Sequence, residues 1–390
     1  MSLRSLALAA LVALVALTAC GGGHADPDAR DLALLQSSAD AAVGSGLVGI
    51  TLAHLTTEDT ALAPAGLRQV GAGATIQSGD LFMIGSTTKA MTAALAGRLV
   101  EQGRIAWTTT LAQALPELAA GMRPAYRVVT LEQLLAHRGG VLAFTSSADL
   151  ARLQAALQAY SGELPATLAG RERFFAAWLL AQDPPAGIKP GQDFAYSNAG
   201  YALAALMLQA RTGRPFAELF QQELARPLGL TVGWIAADQA FIERPLGHEG
   251  AKGKLAAVAP EDADIAAWLE LLRPAGEATT VTPADYALWV GWHLKALRGE
   301  ATPLASGYLQ RLRALRAGDY AVGWLGADID GRAVIVHDGV YRGFSSLLVI
   351  DAQGRSASFG FTNTQADDGA WVLAVLSQAL HDIERALPPR

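Results

Sequence analysis

The stretch FMIGSTTKAMTAALAGRLVEQGRI, residues 82–105, sets how the rest of the chain is read. From Thr87 to about Gln102, the residues Met91, Leu95, Leu99 and Val100 fall at helical spacing, and Gly103 stops the run. Ser86 and Lys89 stand three residues apart at the opening turn, so both face one side of that helix. A serine hydroxyl is a poor nucleophile at neutral pH without a base beside it, and an amine one turn further on is within reach. Free backbone N–H groups at a helix start point at whatever negative charge develops there, and Gly85 lets a substrate approach the backbone closely. Alone, the pair is a weak signal: with five lysines in the chain, S-x-x-K arises by chance in about one such chain in three.

Ahead of this helix, ARDLALLQSSADAAVGSG predicts a helix ending at Gly44 or Gly46, and LVGITLAHL a buried strand. One or two further short strands are expected between Leu67 and Ile84. From about residue 103 to about residue 300 the patterns are mostly helical, clearest in SADLARLQAALQAY, RERFFAAWLLAQ, AGYALAALMLQARTG and PADYALWVGWHLKAL. Beyond them YAVGWLGA, AVIVHDG, FSSLLVID and SASFGFTN are short apolar runs, with DIDG and DAQG reading as hairpin connections. The closing DGAWVLAVLSQALHDIERAL is an amphipathic helix whose apolar stripe would cover a sheet face. The fold class is therefore α+β: an antiparallel sheet built from both ends of the chain and flanked by N- and C-terminal helices, with a large, mostly helical region inserted.

Two further stretches add chemistry to the pair. PGQDFAYSNAGY places Tyr196 and Asn198 two apart at a turn that opens a helix, where a phenol and an amide can face one pocket. VIVHDGVYRGFSS places His337, Asp338 and Gly339 at the end of a buried apolar run. With these, the chain resembles the serine β-lactamase and penicillin-recognising family, in the branch nearest class C β-lactamases and the related carboxypeptidases, D-aminopeptidases and esterases. That family carries S-x-x-K, Y-x-N and then K-T-G or H-x-G, and all three stand here in that order. TLEQLLAHRGG, ELARPLGL and RPAGEATTVTPADYALWV resemble further family segments, so the likeness covers roughly residues 30 to 385. It is specific for the family and not for a substrate, because one scaffold hosts several hydrolases.

The resemblance implies that Ser86 attacks a carbonyl and forms an acyl-enzyme that water resolves, with Lys89 and Tyr196 sharing the proton transfers. Either of the two could be the base. It implies that Asn198 holds Lys89 and the substrate, that the oxyanion sits between the backbone N–H groups of Ser86 and Val340, and that His337 and Gly339 complete the wall. No metal or organic cofactor is implied. Read blandly, Ser86 and Lys89 are a surface pair, Tyr196 and Asn198 an ordinary helix start, and His337 a satisfied core histidine; the order of the three motifs favours the chemical reading. His137 and His248 are read as structural, and Phe174, Phe175 and Trp178 as helix packing.

Two positions depart from the family pattern. Asp338 stands where β-lactamases have a threonine that helps bind the antibiotic carboxylate, and Glu277 stands in a segment that usually reads P-A-G-G. Negative charge there repels anionic substrates, and Arg342 is placed to neutralise one of the two acids. Weak β-lactamase activity at best is expected, with an ester or a small amide or peptide favoured, including peptidoglycan-derived peptides. Other hydrolytic and nucleotide motifs are missing: no serine has a full G-x-S-x-G surround, and there is no H-E-x-x-H, no Walker A loop and no Cys/His set for zinc. The alternative from another class is a non-catalytic envelope lipoprotein that keeps the fold as a binding module. Such relatives usually lose the serine, lysine or tyrosine, and all three are here.

Composition bounds the rest. The chain has 390 residues, 51% hydrophobic and 17% charged, with net charge -6 and no basic block, so it is globular and not built for nucleic acid. Residues 1–19 read as a signal peptide, with Arg4 before the apolar run SLALAALVALVAL. LTAC resembles a bacterial lipobox, which would make Cys20, the single cysteine, a lipid-carrying first residue on a flexible tether over 20–28, with the hydrolase domain over 29–385. Gly21 after it favours the outer membrane by the same resemblance, so the expected location is the cell envelope, membrane-anchored and facing the periplasm.

Overall fold

Seven strands pair antiparallel in the spatial order Thr60–Gly66, Gly49–Leu55, Ala357–Thr362, Phe344–Asp351, Arg332–Tyr341, Trp324–Ile329 and Tyr320–Ala321. This is a computed structural model, and it describes residues 29–234, 244–259, 263–367 and 370–387. The stretches read as a signal peptide and a tether, Cys20 among them, lie outside the described residues. Pairing of Ile50 with Thr362 and of Leu55 with Ala357 joins the two ends of the chain in one sheet, as the strand patterns require.

Two interior strands, Gly49–Leu55 and Ala357–Thr362, are buried at every position because both sheet faces are covered. On one face the helices Ala29–Gly44 and Ala370–Ala386 bring Leu35, Ala39, Val372, Leu376 and Ile383 onto Ile50 and Leu52. On the other, Ala53, Phe359 and Phe361 join a larger core with the helix Thr88–Glu101 and the inserted helical region. Beneath the C-terminal helix, Ser358 Oγ donates to Glu384 Oε1 at 2.6 Å, His54 Nδ1 lies 2.8 Å from Ser358 Oγ, and Arg332 donates to Glu384 Oε2 at 3.1 Å. The serine sits between histidine and carboxylate, which is the wrong order for an activated nucleophile. The network instead fastens the helix to the sheet.

The edge strand Thr60–Gly66 lies earlier than the strands expected after Leu67, where the structure has only the two-residue strand Phe82–Met83. Its sequence, TALAPAG, carries poor strand formers, but Ala61, Ala63 and Ala65 point inward. Side chains this small let the N-terminal helix pack closely. Pro64 is tolerated because an edge strand needs no ladder donor on its outer side. The inserted region also holds short strands that its helical patterns hide: Thr279–Val281 pairs antiparallel with Phe82–Met83 on one side and with Val232–Trp234 on the other. His248 is structural, accepting Val70 N–H at Nε2 (3.1 Å) with Nδ1 3.1 Å from the Asn363 carbonyl.

Candidate active site

Ser86 lies in a short 3-10 turn, Gly85–Thr87, that runs into the helix Thr88–Glu101. The turn is tied down by Thr87 Oγ1 donating to the Ile84 carbonyl at 2.9 Å. One helical turn on, Lys89 is fully buried. Its Nζ lies 2.9 Å from Ser86 Oγ, 2.7 Å from Asn198 Oδ1 and 2.9 Å from the Ala275 carbonyl. All three partners are uncharged. A neutral amine satisfies them fully, with two N–H donors for two obligate acceptors and a lone pair for the serine proton. Burial drives the Lys89 pKa well below its ordinary value, against the smaller opposing pull of the Asp338 charge.

Tyr196 lies in the turn before the helix Asn198–Thr212 and Asn198 opens that helix, whose N-cap, Ser197, accepts Gly200 N–H at 2.9 Å. Asn198 is oriented from both ends: its N–H donates to Ala143 O at 2.8 Å and its Nδ2 to Phe144 O at 2.7 Å, leaving Oδ1 for Lys89. The Tyr196 ring centroid is 4.8 Å from Lys89 Nζ, and its hydroxyl is hydrogen-bonded with Ser86. Burial pushes this phenol's pKa up, the Ser86 hydrogen bond pulls it down, and Asp338 adds to the rise.

His137 holds that turn in place. Its carbonyl accepts Ala195 N–H at 2.8 Å, its Nδ1 accepts Ser197 N–H at 3.1 Å, and its ring stacks 4.0 Å from the Tyr196 ring and 4.6 Å from the Tyr320 ring. Burial foremost, with Lys89 and His337 adding to it, pushes the His137 imidazole down to about 2, so it stays neutral.

The strand Arg332–Tyr341 forms the opposite wall. It ends in a two-residue hairpin at Arg342 and Gly343, both at positive φ (43° and 78°), which closes Tyr341 against Phe344. Alternation from that closing pair puts Val340 and Ser345 in a non-hydrogen-bonded pair, so Val340 N–H points away from the neighbouring strand. On its free side the next strand has already stopped, opposite Val336. The Val340 nitrogen lies 2.7 Å from where a Cβ on Gly85 would stand. A Cβ on Gly339 would meet the Ile84 carbonyl at 2.2 Å and Ser86 N at 2.9 Å, so only glycine lets the serine turn dock flush on this strand. The backbone amides of Ser86 and Val340 thus both lie where the serine turn meets this strand.

The family model for Beta-lactamase matches residues 35–384. The chain belongs to the beta-lactamase family. It is 28% identical over 327 residues to Penicillin-binding protein 4 of Amycolatopsis lactamdurans, covering 80% of this chain and 79% of that protein. It is 26% identical over 192 residues to the D-alanyl-D-alanine-carboxypeptidase/endopeptidase AmpH of Escherichia coli K12, covering 48% of this chain and 45% of AmpH. Its fold matches the D-amino acid amidase from Ochrobactrum anthropi SV3 with a TM-score of 0.70, over 93% of this chain and 100% of that one, at 21% identity.

Within this beta-lactamase framework the structure brings Ser86, Lys89, Tyr196, Asn198, Gly339 and Val340 together, while His337 stands one step back. His337 Nε2 is 2.9 Å from the Tyr320 hydroxyl, and it reaches Tyr196 through Tyr320, whose ring lies edge-on to the Tyr196 ring at 6.4 Å and 4.6 Å from the His137 ring that stacks on Tyr196. Burial pushes the His337 imidazole down to about 4, with Asp338 opposing. Tyr320 escaped the sequence reading: one of eight tyrosines, it opens a strand and carries no local mark. Asp338 is exposed. Arg342 does not take the neutralising place expected for it; its guanidinium donates to the Ala259 carbonyl and feels Glu249. The Glu277 carboxyl instead accepts from the Tyr341 hydroxyl. Phe175 is core, packed edge-on against Phe144 at 5.0 Å, and Trp178 flanks it.

Proposed function

We propose that this chain is a serine hydrolase that cleaves small amide, peptide or ester bonds through an acyl-enzyme on Ser86. The observation that carries the reading is Lys89: a fully buried amine whose three partners are uncharged and include the Ser86 hydroxyl. A lysine held neutral by burial is a base, and a phenol held protonated by burial is a donor. Lys89 therefore takes the Ser86 proton as Oγ attacks the acyl carbonyl. The oxyanion forms between the Ser86 and Val340 amides, and Tyr196 passes a proton to the leaving group. Water then attacks the acyl-enzyme by the same route in reverse. His337 and Gly339 shape the wall that presents Val340.

Small amides and peptides are favoured because relatives carry such names, D-amino acid amidase and D-alanyl-D-alanine-carboxypeptidase/endopeptidase among them, and because the exposed Asp338 disfavours the carboxylate of a β-lactam. The proposal includes export and a lipid anchor at Cys20, on the strength of the N-terminal sequence pattern. Hydrolysis of a panel of neutral esters, D-amino-acid amides and a penicillin tests the chemistry. Turnover of at least one ester or amide is expected in the wild type, exceeding penicillin turnover, with a loss of roughly a thousandfold or more in Ser86→Ala and in Lys89→Met. Activity that survives Ser86→Ala would favour a binding module with adventitious hydrolysis.

A further inference from the structure

Glu277 and Tyr341 have no part in the chemistry above, yet they flank both amides that face Ser86. Glu277 follows Gly276, whose φ is 120° and whose Cβ would meet the Gly85 carbonyl at 2.1 Å and Ser86 N at 3.0 Å. Tyr341 follows Val340, the second amide. The Tyr341 hydroxyl donates to Glu277 Oε1, so one hydrogen bond spans the two walls beside the nucleophile. The Glu277 wall also carries Ala275, whose carbonyl holds Lys89.

We infer that Glu277 is a specificity-determining residue of the proposed hydrolase: its carboxyl has to be uncharged for the adjacent amides to hold the oxyanion, and once ionised it excludes substrates bearing a carboxylate. The inference rests on the serine-hydrolase reading. A full negative charge on the residue after Gly276, which packs directly on Gly85 and the Ser86 nitrogen, opposes the charge those amides have to stabilise. Burial pushes the Glu277 carboxyl up to about 8, while the Tyr341 hydrogen bond and the Arg273 charge pull it down. The groups facing it are Tyr341 on the opposite strand and Arg273 on its own segment. Arg273 pairs with Glu270 at 2.8 Å and lies over the Trp234 ring at 5.8 Å. Burial first, then Glu277, holds the Tyr341 phenol protonated, so it stays a donor.

The sign follows. Below about pH 8 the carboxyl is protonated and the amides meet only the acyl carbonyl; above it the site carries an extra negative charge. The test is kcat/KM from about pH 6 to about pH 10 for a neutral ester and for its carboxylate-bearing analogue, with Ser86→Ala subtracting background, in wild type, Glu277→Gln and Tyr341→Phe. In the wild type both substrates are expected to lose activity above a limb near 8, approaching tenfold per pH unit for a single essential proton, with the carboxylate substrate losing more. Glu277→Gln removes the limb and narrows the preference for the neutral substrate. Tyr341→Phe moves the limb upward, because a carboxylate without that donor is harder to form. A limb that stays in place in an active, folded Glu277→Gln protein overturns the inference and leaves the hydrolase reading intact. Absence of Ser86-dependent hydrolysis at every pH in the wild type overturns the hydrolase reading itself.

Discussion

A lysine ammonium buried among uncharged partners is costly, which drives the Lys89 pKa well below its ordinary value, and in the proposed hydrolase that cost is the means of activating Ser86. The phenol beside it is shifted the opposite way, and on that ground the proposed mechanism takes Lys89 as base and Tyr196 as donor, where the sequence left the two interchangeable. Whether this arrangement works depends on the angle of Tyr196, and His137 sets it from both sides of the turn. His137 itself sits at φ 55°, a conformation asparagine adopts readily and phenylalanine does not. His137→Asn keeps an acceptor for Ser197 N–H and is expected to retain most of the wild-type kcat. His137→Phe keeps a ring and loses the acceptor; its kcat is expected to fall roughly ten- to a hundredfold, with KM little changed. Ester kinetics alongside thermal melts check this. Equal kcat in folded His137→Phe and wild type would show that His137 does no positioning.

At the scale of elements, the site is a docking of one helix start on one strand end, and the glycines at the contact are what permit it. Gly339→Ala puts a methyl 2.2 Å from the Ile84 carbonyl, so the serine turn has to lift and the Ser86 and Val340 amides separate. A loss of about a hundredfold or more in acylation is expected, the scale of losing an oxyanion donor, with the circular dichroism spectrum unchanged; kinetics of a neutral ester read it directly. The elements that carry the site were legible because their signals are local: the helix after Ser86, the turn at Tyr196 and the strand at His337 each announce themselves within a dozen residues. The edge strand Thr60–Gly66 was not, because its inward alanines owe their place to a helix packed on them and not to strand propensity. Tyr320 and the clamp on Tyr196 were hidden for a similar reason. They are made by contacts between residues far apart in the chain, from His137 to Tyr320 and on to His337, and no spacing rule reports those. The same holds for Arg342, whose partner is set by a hairpin turn and not by proximity in sequence to the acids.

For the whole molecule, a sheet assembled from both chain ends supplies a rigid wall, and the inserted helical region supplies the turn that brings Tyr196 and Asn198 to Ser86. Ser86 lies where the two meet, half-buried, with Lys89 fully buried behind it, an arrangement that leaves the proposed nucleophile within reach of a small acyl donor. The measurement that tests this account most directly is the intact mass of the protein, quenched in acid at short times after mixing with a neutral activated ester, for wild type and Ser86→Ala in parallel. The account predicts a wild-type adduct equal to the acyl group, mapped to the peptide holding Ser86 and lost as product appears, with none in Ser86→Ala. Turnover of the ester with no adduct at Ser86, or the same adduct and turnover in Ser86→Ala, would contradict it.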